Sequence, residues 1–251
     1  MRSHRKPCRF DLTNAFILVM CPLGKVDTHA HGGSAVLVGL DGDFSILLAS
    51  GWVRRSVQAV PAGYRHALDC GDTRMAVLFL LDPAQARGAF VQGFEDHRLR
   101  TLARLIRRID RDDVDAPTAT AAIRHALGFG GGVRLDDRVA RAHRQIRVGL
   151  ENGCSIESIA ASVHLSPSRL MHLLQSELGI PFRKLRNWER MRTVVQHRAQ
   201  GDNLTQSCLA AGFADSSHFS RAFRQTFGLT ASSVLHPQSV FSVAASDRDE
   251  L

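Results

Sequence analysis

CLAAGFADSSHFSRAFRQTFGL, residues 208–229, decides how the rest of this chain is read. Gly212-Phe213 interrupts a short helical stretch, Asp215 is placed to cap a new helix, and Phe219, Phe223 and Phe227 then recur every fourth residue. That period puts the three rings on one face of a helix over Ser216–Phe227, which Gly228 stops. Core packing accounts for the rings. Ser217, Ser220, Arg221 and Arg224 stand on the other face, where base edges and phosphates would be met. Just upstream, Asn203-x-x-Gln206 has the form of a capping box that opens a helix reaching Ala211. Two short helices joined by a tight turn, the second capped and amphipathic, follow the helix-turn-helix plan.

The plan occurs a second time, about fifty residues earlier. Ser155 can cap a helix over Ile156–Val163 whose inner face is Ile156, Ile159, Ala160 and Val163. Leu165 closes a turn, and Ser166-Pro167 restarts a helix with Ser as cap and Pro at the first helical position. Leu170, Leu173, Leu174 and Leu178 form its inner stripe, and Gly179 ends it. Ser168, Met171, His172 and Gln175 fall at i, i+3, i+4 and i+7 on the opposite face, with Arg169 beside them. Between the two motifs, a helix from Pro181-Phe182 to about Gln200 spans roughly 28 Å at 1.5 Å per residue. Successive major-groove faces of B-DNA lie about 34 Å apart, so this strut can present both motifs to one side of a duplex. The charge agrees: residues 141–230 hold 12 Lys plus Arg against 6 Asp plus Glu, +6 of the chain's net +8.

Through SIESIAASVHLSPSRLMHLLQSELGIPFRKLR (155–186) and the stretch at 208–229, the segment from about 137 to 235 resembles the DNA-binding domain of the AraC/XylS family. The second stretch is the more specific, carrying that family's Gly-Phe-x-Asp-x-Ser-His-Phe-Ser-Arg signature. The resemblance implies base contacts from Ser168, Met171 and His172 in the first motif and from Ser216, Ser217, Ser220 and Arg221 in the second. It implies phosphate contacts from helix N-termini and from Arg169, Arg224 and Gln225. Double-stranded DNA, RNA polymerase, a small-molecule effector and a second copy of the chain are the partners it implies. Two departures stand out. Ser207 occupies a position where the family usually has Ile or Val, so its hydroxyl must bond back to a carbonyl. Past Gly228, Ala231, Val234 and Leu235 replace the usual Pro and Tyr-Arg, which predicts a looser second motif.

The first 82 residues read differently. Short apolar runs (Phe16–Met20, Ala35–Val38, Phe44–Leu48, Met75–Leu81) alternate with turns such as Asp41-Gly42 and Pro61-Ala-Gly63, the pattern of a small β-barrel or sandwich. His29-Ala-His31 resembles the start of the first cupin motif, and Pro61-Ala-Gly-Tyr-Arg-His66 the core of the second, so a cupin-like sensing domain is expected. In a metal cupin, two histidines of the first motif and one of the second meet inside the barrel with a carboxylate. No acid occurs between Gly32 and Leu40. A divalent metal or an effector at His29, His31 and His66 is therefore one reading; histidines lining a pocket rim or facing solvent is the plainer one, and no cofactor is the default. Helical periodicity follows in Leu99, Leu102, Leu105-Ile106 and Ile109, with Arg98, Arg104, Arg107 and Arg108 as a solvated face, and a weaker helix spans Ala119–Leu127.

The fold expected is thus two domains. Residues 1–128 form a small β-barrel, cupin-like, with following helices; 129–136 form a linker containing Gly130-Gly-Gly132; 137–236 form an all-α domain with two helix-turn-helix motifs joined by a long helix; 237–251 form a flexible tail. Five widely spaced cysteines suggest neither a disulfide framework nor a zinc cluster. Phe16–Met20 is too short to cross a membrane and lacks a signal-peptide pattern, so the cytoplasm is expected. The function this predicts is a sequence-specific transcriptional regulator and not an enzyme. The alternatives are a metal-dependent cupin enzyme with a basic accessory domain, opposed by the missing carboxylate, and nonspecific nucleic-acid binding, opposed by the paired recognition faces.

Overall fold

A computed structural model describes residues 7–13, 16–80, 96–114, 116–127, 135–149 and 155–243. Residues 129–134 of the linker expected at 129–136, with its three glycines, Asp82-Pro83 and Cys154 lie outside the described residues.

Ten strands make two sheets among the described residues. The larger runs, in spatial order, β10 (Val240–Val243), β1 (Arg9–Leu12), β2 (Phe16–Cys21), β9 (Met75–Leu80), β4 (Ala35–Gly39) and β7 (Val57–Val60). The smaller runs β3 (Lys25–His29), β8 (His66–Asp69), β5 (Phe44–Leu48) and β6 (Gly51–Arg55). Strands β2 and β9 are apolar at every position because both faces of the larger sheet are covered. Ile17, Val19, Leu37, Val77 and Phe79 point toward the smaller sheet, while Phe16, Leu18, Met20, Val36 and Leu78 point toward two helices, α1 (Asp96–Asp110) and α2 (Ala116–Ala126). Alternation within an all-apolar run thus assigns each residue to one of two cores. The smaller sheet has a wet face, where β6 leaves Trp52 exposed.

The expected closed barrel is not formed; the domain is two facing sheets. Edge strand β3 packs against a C-terminal helix instead of pairing with the larger sheet. Trp188 and Phe227 enter the space between the sheets from the same side. Side chains of the other domain thus take up the opening that closure would have sealed.

The arginines of α1 are not uniformly solvated. Arg98, Arg104 and Arg108 are exposed, but Arg107 donates to the Gly39 and Ser56 carbonyls at 2.9 and 3.3 Å, bonding the chain where it turns into β7. Cys8 and Cys21 form a disulfide, contrary to the reading from cysteine spacing: the hairpin register Arg9 to Met20 sets them face to face. Residues 240–243, expected within a flexible tail, are strand β10, parallel to β1 with Val240 opposite Arg9.

The C-terminal helices are α3 (Asp137–Val148), α4 (Ile156–Ser162), α5 (Pro167–Leu178), α6 (Phe182–Ala199), α7 (Leu204–Ala210), α8 (Ser216–Phe227) and α9 (Ala231–Val234). Their ends are where the capping residues put them. Ser155, Ser166, Asn203 and Asp215 each accept a backbone N–H of the first turn, and Asn203–Gln206 is a complete capping box. Gly179 and Gly228 close α5 and α8 in the left-handed conformation, φ 76° and 70°. Buried Ser207 donates to the Asn203 carbonyl at 2.9 Å, as its position requires. No helix among the described residues is long and apolar enough to cross a membrane.

Candidate functional site

Three features compose the site: two polar helix faces, an apolar cavity behind the second, and a histidine cluster on the cavity wall.

The helix faces follow from the caps. With α5 starting at Pro167 and α8 at Ser216, the apolar stripes Leu170, Leu174, Leu178 and Phe219, Ala222, Phe223 turn inward and are buried. Everything singled out on the opposite faces is exposed: Ser168, Arg169, Met171, His172 and Gln175 on α5, and Ser216, Ser217, Ser220, Arg221, Arg224 and Gln225 on α8. Several already have partners. Gln175 donates to the Gly179 carbonyl, Ser220 to the Ser216 carbonyl at 2.7 Å, and Arg224 pairs with Asp27 of β3 at 3.0 Å. Asp215 caps α8 through its Oδ1, accepting from the His218 N–H, and that bond holds its carboxyl below the usual range. Helix α6, 18 residues long, runs between the two pairs.

Behind α8 the phenylalanine stripe does more than pack its own domain. Phe219, Phe223 and Phe227 continue into a core shared with the strands, and Phe227 lies 5.8 Å from Phe79 and 6.0 Å from His31, ring to ring. A cavity lies here between the sheets and helices α6 and α8. Its walls are apolar except at His29, His31 and Arg192. The residues missed by the sequence reading are on α6. Leu185, Trp188, Glu189 and Arg192 sit at i, i+3, i+4 and i+7, all buried, so the signal was a charge pair on an apolar stripe. Glu189 accepts from His143 at 2.9 Å and from Arg192 at 3.0 Å. Burial pushes its carboxyl up, but the His143 hydrogen bond and the Arg192 charge prevail and hold it below the usual value.

His29, His31 and His66, expected either at an effector or metal site or lining a pocket rim or facing solvent, are all three buried and together. The antiparallel register sets His29 of β3 opposite His66 of β8, and the ring centroids of the three lie 4.3 to 4.9 Å apart. Burial drives all three toward the neutral form. His29 is pushed down to about 4, with His66 adding to the effect, and His31 is held well below the ordinary value. His66 is lowered less, against the hydrogen bond to the Tyr64 carbonyl.

Comparison with known proteins adds a domain assignment. Residues 159–236 match the model described as a helix-turn-helix domain. The chain is 31% identical over 100 residues to the bifunctional transcriptional activator/DNA repair enzyme Ada of Escherichia coli K12. That stretch is 40% of this chain and 28% of Ada. It is 29% identical over 96 residues to the regulatory protein PocR of Salmonella typhimurium, 38% of this chain and 32% of PocR. Residues 159–236 are a helix-turn-helix domain.

The helix-turn-helix domain is only part of the likeness. Apo ToxT from Vibrio cholerae superimposes with a TM-score of 0.62 at 16% identity, covering 88% of this chain and 97% of that one. ToxT bound to an unsaturated fatty acid gives 0.52 at 14% identity, covering 87% and 94%. At that identity the likeness is one of fold: a β-rich N-terminal domain followed by a helical one. The chain spans about a third or less of the length of Ada and PocR.

Proposed function

We propose that this protein is a sequence-specific DNA-binding transcriptional regulator whose hold on DNA is set by a small molecule between its two domains. The observation that carries this reading is the pair of capped helices, α5 and α8, with every polar residue of their outer faces exposed and a single helix between them. At 1.5 Å per residue α6 is about 27 Å long, close to the groove spacing of about 34 Å once the width of the flanking helices is added. Both pairs then act as helix-turn-helix motifs, and one chain reads two half-sites.

The domains in this reading are 1–128, cupin-like and sensing; 129–136, a joint; and 137–236, DNA-binding. RNA polymerase and a second copy of the chain are the further partners proposed, and the cytoplasm the place of action. The effector is an apolar molecule with a carboxylate head. The cavity supplies apolar walls with Arg192 at one side, and ToxT has been captured with an unsaturated fatty acid. Such a molecule changes DNA affinity only by binding one domain arrangement better than the other. In the arrangement described here Arg224 is engaged by Asp27, so a phosphate competes for a guanidinium already in use.

A genome-wide occupancy map in the native cell tests the reading. Discrete sites with two unequal half-motifs about one helical turn apart are expected, and diffuse occupancy would sink it. On a site so found, Arg221→Ala should weaken binding by about 1 to 3 kcal/mol and relax preference in one half-site, while Arg224→Ala should weaken all sequences alike. Titration of labelled duplexes carrying each half-site change measures both.

A further inference from the structure

We infer that Cys8 and Cys21 are a redox latch. As a disulfide they lock strand β1 into the larger sheet; as two thiols they let β1 and β10 open together and loosen the end of the helical domain. The β1–β2 hairpin is closed at both ends. At one, the Thr13 N–H donates to the Phe16 carbonyl at 3.0 Å; at the other, the disulfide joins Cys8 to Cys21 with their Cα atoms 4.5 Å apart. A strand of four residues fixed at both ends has no free end from which to peel. Without the S–S bond, the Cys8 end rests on ladder hydrogen bonds, the burial of Phe10, and an ion pair from Arg9 to Asp112 whose acid is exposed. Exposed pairs of that kind hold little, and free strand ends fray at small cost.

What β1 carries makes the lock consequential. Strand β10 stands at the edge of the sheet, and β1 is its neighbour there. Their pairing begins at Cys8 itself, whose carbonyl accepts the Val240 N–H at 2.8 Å, and Phe10 stacks on Phe241 with ring centroids 4.8 Å apart. Cys8 Sγ also lies 4.0 Å from the Ser233 carbonyl of α9. That helix buries Ala231 and Val234 in the core that holds Phe219 and Phe223 of α8. Cys8 therefore touches both segments, α9 and β10, by which the chain returns from the second recognition helix to the sheet.

The chemistry is thiol–disulfide exchange with a small thiol such as glutathione. Its thiolate attacks Cys8 Sγ at the strand end, the S–S bond breaks, and Cys21 leaves as a thiolate that takes a proton. A second glutathione thiolate attacks the glutathione sulfur of the mixed disulfide and releases Cys8, which takes the other proton. Two glutathione thiols thus supply two protons and two electrons and leave as glutathione disulfide. The same steps reversed, with glutathione disulfide as oxidant, close the latch. In a cytoplasmic chain such a bond is transient and sensing more often than structural. The buried thiols of Cys70 and Cys208 do not compete, because burial pushes them up to about 12 and about 11 and leaves almost no thiolate. An effect on transcription rests on the DNA-binding reading above; the latch and its mechanical effect do not.

The test places the full, folded chain without DNA in buffers of reduced and oxidised glutathione at varied ratio. Acid quenching, alkylation and mass spectrometry then report the thiols at Cys8 and Cys21. Reversible loss and return of both thiols, without denaturant, is the expected result. Amide exchange compares the two redox states of the natural chain: reduction should speed it over 231–243 by roughly ten-fold or more and leave α1, on the other face of the sheet, unchanged. Cys21→Ser should show the fast exchange in either buffer. Should that variant fail to fold, the two states of the natural chain still decide. A disulfide that survives excess glutathione in the folded chain, or one that never forms, would overturn the latch. So would exchange at 231–243 that ignores the redox state, or that rises equally throughout the chain. Failure to find DNA sites would leave each of these results standing.

Discussion

Replacing Glu189 with alanine should lower the unfolding free energy by about 3 to 5 kcal/mol, the range for removing one member of a buried ion pair. Glu189 and Arg192 are 1% and 7% exposed and one turn apart on α6, and His143 of α3 completes the group. Without the carboxylate, Arg192 keeps a charge that burial disfavours and finds no counter-ion, while His143 Nε2–H loses its acceptor. Glu189→Gln should cost less, because an amide oxygen still accepts one of the two hydrogen bonds. If the orphaned charge is the cause, Glu189→Met with Arg192→Leu should be more stable than Glu189→Ala alone. Urea unfolding with an unchanged slope reads all three, and a loss below about 1 kcal/mol for Glu189→Ala would refute the argument. The pH dependence has a definite sign. A carboxyl held below its ordinary value stabilises the fold fully above its unfolded pKa, about 4.3 for Glu. That contribution fades as pH falls through the folded value.

The parts of this molecule legible in the sequence are those set by near neighbours along the chain. Caps are local: Ser155, Ser166, Asn203 and Asp215 act on N–H groups two or three residues away, so the order of residues alone locates α4, α5, α7 and α8. The histidine motifs were visible for a related reason, since residue types and spacing suggested a common site. Their burial was not visible, because it depends on the β3–β8 register and on Trp188 closing over the loop that follows β3. A Cβ on Gly33 would come within 2.8 Å of the Trp188 ring, so the two domains meet flush at that point. Periodicity reports which face of a helix is apolar without saying what covers it. The Phe219, Phe223, Phe227 stripe reads as ordinary core from 208–229 alone, yet its end faces Phe79 of a strand some 150 residues earlier. The return of β10 to pair with β1 is long-range in the same sense, while the meeting of Cys8 with Cys21, 13 residues apart, depends on the register of the β1–β2 hairpin.

Gly228→Ala is the second large effect expected, about 3 kcal/mol, and Gly179→Ala gives it meaning. Both glycines end a recognition helix, both have φ near +70°, and each donates its N–H to a carbonyl of the last turn. An alanine in that conformation costs about 1 to 2 kcal/mol at either place. The surroundings differ. A Cβ on Gly179 meets nothing within 4 Å, whereas one on Gly228 would strike the Asp27 carbonyl and come within 2.8 Å of His29 Nδ1 and 2.9 Å of Val26 Cγ1. Two of those neighbours belong to the backbone of β3 or are bonded to it, so the clash is relieved only by moving strand and helix apart. Overpacking of this kind adds about 1 to 3 kcal/mol. The difference between the two variants therefore isolates the contact between the domains from the shared cost of the cap. Thermal unfolding of both, with amide exchange at Asp27 as the local reporter, measures it. Equal losses would mean that β3 and α8 do not bear on one another, and the part of the effect assigned to the contact between the domains would fall.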